Sequence, residues 1–230
     1  MYYKYEMHSH TKGCSACGYS SAEEMVDAAI SKGLSGMVFT NHFYHGNSCI
    51  DRGLTPVEFI RAYVDDYLKA KKHAEGKDFD VLFGLEEAYR QGKEVLIYGV
   101  EPEAFLNTPS FLTMTLPEMR DFVRANNGVI AAAHPFRHRD YIPDPNVFDG
   151  EEFFDAIEIY NAQNLPSDNL QAEELFRNSE LKFISGSDIH GGDDFGRAGI
   201  AVTERIRETA EMARVIKSGN YRLIIDGEIK

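Results

Sequence analysis

Short apolar runs recur along this chain with helix-like stretches between them, and most of the runs end on a histidine, glutamate or aspartate. Strand–helix alternation of this kind predicts a largely parallel sheet. In barrels and open α/β sheets, the loops at the C-terminal ends of the strands carry the active site. Polar residues placed just after apolar runs would therefore converge on one edge of the fold.

The strands are expected at Tyr2 to His8, Gly36 to Thr40, Phe79 to Leu85, Lys93 to Val100, Val129 to Ala133, Ala156 to Tyr160 and Lys182 to Ser185. Lys93 to Val100 follows its predecessor closely, so this pair reads as a hairpin-like insertion. Ser20 or Ser21 offers an N-cap, with Glu23 and Glu24 in the first turn, for a helix ending at Gly33. Thr55-Pro56 opens a long amphipathic helix to about Glu75, and Leu116-Pro117 opens another ending near Asn126-Asn127-Gly128. Further helices are expected near Leu170 to Asn178 and Arg205 to Lys217. An Asp226-Gly227 pair in the apolar tail is a hairpin signal. There is no Gly/Ser-rich linker, low-complexity tract or internal repeat, so residues 1–230 read as one domain.

Composition narrows the function classes. A net charge of −13 argues against a nucleic-acid groove, which needs clustered Lys and Arg. Divalent cations would offset that charge locally and still admit an anionic substrate. The N-terminus lacks the apolar run of a signal peptide, and no stretch is apolar enough to span a membrane. Three cysteines do not suggest a disulfide framework. A reducing, cytoplasmic setting is the economical expectation.

The strand ends supply the chemistry. His8 and His10 alternate on one strand and so share a face; Asp188 and His190 repeat the spacing late in the chain. His42 and His134 each follow an apolar run, and Pro135 is expected to hold His134 extended. Glu86 ends a buried strand, where a carboxylate is costly unless paired or bound to metal. Its neighbour Glu87 would face the other side. Cys17 is a candidate thiolate ligand for zinc or iron, and equally a small buried cysteine. Cys14 and the Asp193/Asp194 pair are weaker candidates. Glu158 and Tyr160 are expected to share a face, with Asn161 turned the other way or starting the loop, as a support for the ligands or a substrate contact.

In this order, His8-x-His10, Thr40-Asn41-His42, Gly84-Leu85-Glu86, His134-Pro135 and Asp188-Ile189-His190 resemble the PHP family, named for polymerase and histidinol phosphatase, nearly end to end. The resemblance implies a distorted β/α barrel of seven parallel-type strands with a two- or three-metal site on its C-terminal rim. It implies hydrolysis of phosphoesters, commonly phosphomonoesters, with zinc, iron or manganese. Carried onto these positions, His8, His10, Glu86 and Asp188 would hold a first ion. Glu86 would bridge to a second ion with His134, while His42 and His190 would hold a third. Two positions depart from the pattern. Leu96 stands where a further histidine is often found, so a ligand is expected to be missing. Asn41 stands where an aspartate is common.

Catalytic roles are accordingly expected of Glu86, Asp188 and His190, with Arg137 and Arg197 receiving the phosphate of a small phosphorylated substrate. Arg139 reads chiefly as a solvated loop arginine. His45 and His138 are rim candidates for a general acid, and His73 reads as a surface residue. Two rival readings are an amidohydrolase-like C–N hydrolase, which would usually need a lysine bridge, and a catalytically weak metal-binding accessory module.

Overall fold

The computed structural model describes residues 1–192 and 195–230; Asp193 and Asp194 lie outside them. The strands are β1 (Tyr3–Glu6), β2 (Gly36–Phe39), β3 (Asp80–Arg90), β4 (Lys93–Tyr98), β5 (Val129–Ala132), β6 (Ala156–Asn161), β7 (Lys182–Gly186), β8 (Ala198–Val202), β9 (Arg222–Ile225) and β10 (Glu228–Ile229). They form one sheet in the order β10-β9-β8-β1-β2-β3-β4-β5-β6-β7. The sheet thus has ten strands and not the expected seven. The additional three are antiparallel and extend the sheet from the edge of β1. The β9–β10 hairpin turns at Asp226-Gly227, where both residues have positive φ.

The sheet curls. Beyond β1 and β7 the chain pairs again between Ser9 and Ile189, with His10 N–H donating to the Ile189 carbonyl at 2.8 Å. Serine side chains span the gap between β7 and β8: Ser185 Oγ lies 2.6 Å from the Gly199 carbonyl and accepts the Gly199 N–H at 3.1 Å. Strand β4 runs antiparallel to both β3 and β5, whereas β1–β2–β3 and β5–β6–β7 are parallel. The first residue of β4, not its last, therefore lies at the edge where the parallel strands end.

The helices are α1 (Ala22–Ser31), α2 (Pro56–His73), α3 (Pro102–Asn107), α4 (Leu116–Ala125), α5 (Pro166–Phe176) and α6 (Thr209–Ser218). Ser21, Thr55 and Thr115 each close a capping box with a glutamate three residues on. Two apolar clusters result. One holds Tyr5, Val38, Leu82, Leu96, Tyr98 and Ile184 together with Met212 and Ile216 of α6. The other joins the opposite face of the sheet to α1, α2 and α4. Among the described residues, no helix is long and apolar enough to cross a membrane.

Phe43 shows how this second core holds the site. It is completely buried next to His42, edge-on to Phe59 at 5.5 Å and Tyr63 at 4.8 Å. Phe43→Ala is expected to cost about 3–5 kcal/mol. Chemical denaturation of the purified variant reads this directly, as a lower midpoint with an unchanged slope.

Candidate metal centre

Strand ends bring the titratable groups together. A bridge between His42 and Glu86 sets these residues side by side, with Phe43 N–H donating to the Glu86 carbonyl at 2.7 Å. Glu86 is completely buried. Its Oε1 lies 3.1 Å from His8 Nε2 and 3.0 Å from His134 Nε2; its Oε2 lies 2.8 Å from His42 Nδ1 and 3.5 Å from His10 Nε2. Asp188 Oδ1 lies 3.1 Å from His10 Nε2 and 3.6 Å from His8 Nε2.

Hydrogen bonds fix which nitrogen of each ring is available. His8 Nδ1 donates to Glu158 Oε1 at 2.9 Å, and His190 Nδ1 donates to the Asp188 carbonyl at 2.8 Å. Ser15 Oγ donates to Asn41 Oδ1 at 2.9 Å, so it accepts from His10 Nδ1 at 3.2 Å. In all three rings Nδ1 carries a proton, so Nε2 is the nitrogen a cation would take, in place of any proton there. Asn41 thus acts on the site through Ser15, and its own amide reaches toward buried Asp66 on α2.

Among the described residues, four titratable clusters emerge whose donor atoms lie within 4.8 Å of one another: His8, His10 and Asp188; His8, Glu86 and His134; His42, Glu86 and Glu94; and His10, His42 and His190. His8 Nε2, His10 Nε2, His42 Nδ1 and Glu86 Oε2 are buried yet make no hydrogen bond. Buried polar atoms of native proteins are nearly always satisfied. Mixed imidazole and carboxylate donors gathered around such atoms fit divalent zinc, iron or manganese.

Burial and the carboxylates act unequally on the rings. Burial, with His42 alongside, pushes the pKa of His10 down to about 3, which keeps this ring neutral. Burial also opposes the charging of His8, but the carboxylates of Asp188, Glu158 and Glu86 outweigh it and hold its pKa well above the usual histidine value. Cys17 is opposed by burial too, yet hydrogen bonds with His190 and His42 bring its thiol down to about 6. Cys17 therefore sits beside the His10–His42–His190 cluster with thiolate character. Cys14 is fully buried against the Tyr63 carbonyl, away from it.

Several placements differ from expectation. The carboxylate on the strand after Glu86 is Glu94, whose oxygens lie 3.4 Å from His42 Nδ1 and 3.5 Å from His134 Nε2. Leu96 is one layer deeper, in the apolar interior. His134 is not extended: its φ is +26°, and that of Asp188 is +52°. Both strained residues are gripped on several sides. His134 N–H donates to Glu158 Oε2 at 2.9 Å, and its carbonyl accepts from Arg137 N–H at 3.0 Å. Strain of this sort persists where surrounding contacts over-determine it.

A register shift between Glu158 and Tyr160 also breaks the expected alternation on β6. Glu158 and Asn161 therefore both face the site, while Tyr160 bonds Asp226 at 2.6 Å. Gly186 makes room for this arrangement, since a Cβ there would lie 2.4 Å from Glu158 Oε1 and 2.5 Å from the His8 Cβ. Glu87 faces away and accepts the Tyr44 and His45 N–H groups at 2.8 Å.

A cavity of about 1120 Å³ opens over the cluster, reached by Cys17, His42, Glu94, Asp188 and His190. Arg137 enters its lining while paired with Asp188, and it donates to Asn161 Oδ1 at 2.9 Å. Asn161 is fully buried, so it supports Arg137 and Glu158 without reaching the cavity. Arg197 is half exposed, 3.8 Å from Asp226, and does not line the cavity. His45 lines it, whereas His138 is bound to Asp168 outside it. His73 lies on the surface beside Asp27.

The order and convergence of these residues agree with sequence comparison. A family model of the PHP domain matches residues 6–189. The chain belongs to the PHP domain family. Among curated proteins there is no significant sequence match. Solved structures share the PHP fold at low identity. A two-domain protein from Bacteroides vulgatus, containing a predicted PHP-like metal-dependent phosphoesterase, is 15% identical with a TM-score of 0.67, over 100% of this chain and 66% of its own. A lesion-specific endonuclease from Pyrococcus furiosus is 15% identical with a TM-score of 0.68, over 97% of this chain and 58% of its own. An amidohydrolase from Chromobacterium violaceum, with bound sulfate and no metal, is 12% identical with a TM-score of 0.59, over 93% and 96%. This PHP chain thus spans about two thirds of the first of these proteins and little over half of the second.

Proposed function

We propose that this protein is a metal-dependent phosphoesterase that hydrolyses a phosphomonoester, using two or three zinc, iron or manganese ions. The observation that carries this reading is the set of buried, unpartnered donor atoms around Glu86. His8, His10, Asp188 and Glu86 would hold one ion; Glu86, His134 and Glu94 a second; and His42, His190 and Cys17, with His10 adjoining, a third. Bound there, the ions would polarise phosphoryl oxygens and lower the pKa of a bound water.

The chain's own groups do the rest. Glu158, Ser15 and the Asp188 carbonyl hold the imidazoles in one tautomer. Arg137, fixed by Asn161 and Asp188, presents a guanidinium to a phosphate oxygen at the cavity floor. His45, with Nδ1 held 3.1 Å from Glu87 Oε1, is placed to give a proton to the leaving oxygen. Arg197 stands outside the cavity lining and has no part in holding the phosphate. The excess of negative charge supports a small substrate over a polynucleotide, and three free cysteines support a cytoplasmic setting.

An amidohydrolase reading draws less support. Lys93, the lysine nearest this rim in sequence, donates to the carbonyls of Pro135 at 2.7 Å and Pro145 at 3.0 Å, and joins none of the four clusters. Elemental analysis of purified protein, followed by chelation and reloading with each metal, tests the proposal on a panel of phosphomonoesters, amides and lactones. Metal-restored hydrolysis of phosphomonoesters is expected. Full activity in metal-free protein, or turnover confined to amides or lactones, would overturn it.

A further inference from the structure

Three arginines line the cavity, and they differ in what surrounds them. Arg137 is paired with Asp188. Arg90 is paired with Asp149 at 2.8 Å. Arg139 has no carboxylate within 4.0 Å among the described residues. Its NH1 donates to the His138 carbonyl at 2.9 Å and its NH2 to the Gln163 carbonyl at 2.7 Å. Two backbone anchors hold the guanidinium in place without neutralising it, and three of its five N–H donors have no partner among these bonds. An uncompensated, anchored cation in the cavity of a chain with net charge −13 is a receptor for an anionic oxygen group.

The scissile phosphate would already be held at the histidine–carboxylate floor and by Arg137. Arg139 belongs to the same cavity but bonds a different loop, through Gln163. Tyr89, Met114, Met119 and Tyr141 also line this space, and its volume exceeds what a minimal phosphomonoester fills. Their apolar surface suits the body of a leaving group lying between two anionic ends.

Resting on the phosphoesterase reading, we infer that the substrate is a phosphomonoester whose leaving group carries a second anionic group, and that Arg139 is the residue that selects it. The test uses the full chain loaded with manganese, and α,ω-alkanediol bisphosphates of two to eight carbons against the alkyl monophosphates of equal length. At the best-fitting length, kcat/KM and calorimetric affinity are each expected to favour the bisphosphate by about tenfold or more, the scale of one charge-assisted contact. In Arg139→Ala that preference should fall to near unity, with Arg139→Lys recovering part of it and thermal melts confirming the fold of both. Equal handling of both series at every length, or a preference that survives Arg139→Ala, would overturn the inference. Calorimetry keeps the two ideas separable: a bisphosphate preference lost with Arg139 but without any turnover would count against the phosphoesterase reading alone.

Discussion

Glu86→Gln is expected to strip the protein of bound divalent metal and of phosphoesterase activity while leaving it folded. Glu86 places one oxygen against His8 and His134 and the other against His42 and His10. It is a member of two of the four donor clusters, alongside His8, His134 and His42, and its Oε2 also approaches His10. The amide of glutamine has the same shape but turns one of these acceptors into an N–H donor. That donor would face imidazole nitrogens whose lone pairs are needed for a cation. It would also remove the negative charge that lets His8 and His42 gather here in spite of their burial. Losing a supporting partner typically costs roughly 10–100-fold in metal affinity, and losing a shared ligand should exceed that. Elemental analysis, kcat/KM on a phosphomonoester and a thermal melt would be read together. A Gln variant that keeps wild-type metal content would exclude Glu86 as a shared ligand.

Much of this centre was legible because its residues are chemically unusual where they stand. A buried strand end has little reason to carry His42, Glu86 or His134 unless something binds them. The paired spacing of His8 with His10, and of Asp188 with His190, added direction. The parts that were not legible depend on how strands pair. β3 runs on to Arg90 and turns at Gly92, whose φ is +73°. That hairpin inverts β4, so its rim residue is Glu94 at the start of the strand and not a residue further along. The role of Glu158 is hidden in the sequence, because the irregularity after it cancels the period-two pattern of a regular strand. The left-handed backbone of His134 was hidden for a related reason. The residue before a proline is biased toward extended conformations, and here contacts with Glu158, Glu86 and Arg137 override that bias. Of the three added strands, the β9–β10 hairpin is signalled by Asp226-Gly227, whereas β8 escaped because its pairing partner β1 is distant in sequence.

The reassignment from Leu96 to Glu94 makes a prediction with two opposite arms. If a ligand were missing at Leu96, Leu96→His should complete the site and tighten binding of the second ion. The structure argues the reverse. Leu96 is completely buried in one cluster with Tyr98, Leu82 and Val38, and although it pairs opposite Glu86, an imidazole there would have to displace this apolar packing. Leu96→His is therefore expected to add no ion and to lower stability by about 1–3 kcal/mol, the cost of forcing a differently shaped polar ring into a filled apolar site. Glu94→Ala acts on the rim. Its carboxylate stands between His42 and His134, so its loss should lower the metal content by one ion per chain and reduce kcat/KM by about 10–100-fold. Stability should change little, because Glu94 is part-exposed at the rim. Metal titration of both variants beside the wild type decides between the two arms. Tighter metal binding in Leu96→His, or undiminished stoichiometry in Glu94→Ala, would return the second ion to the incomplete set of ligands that the sequence suggested.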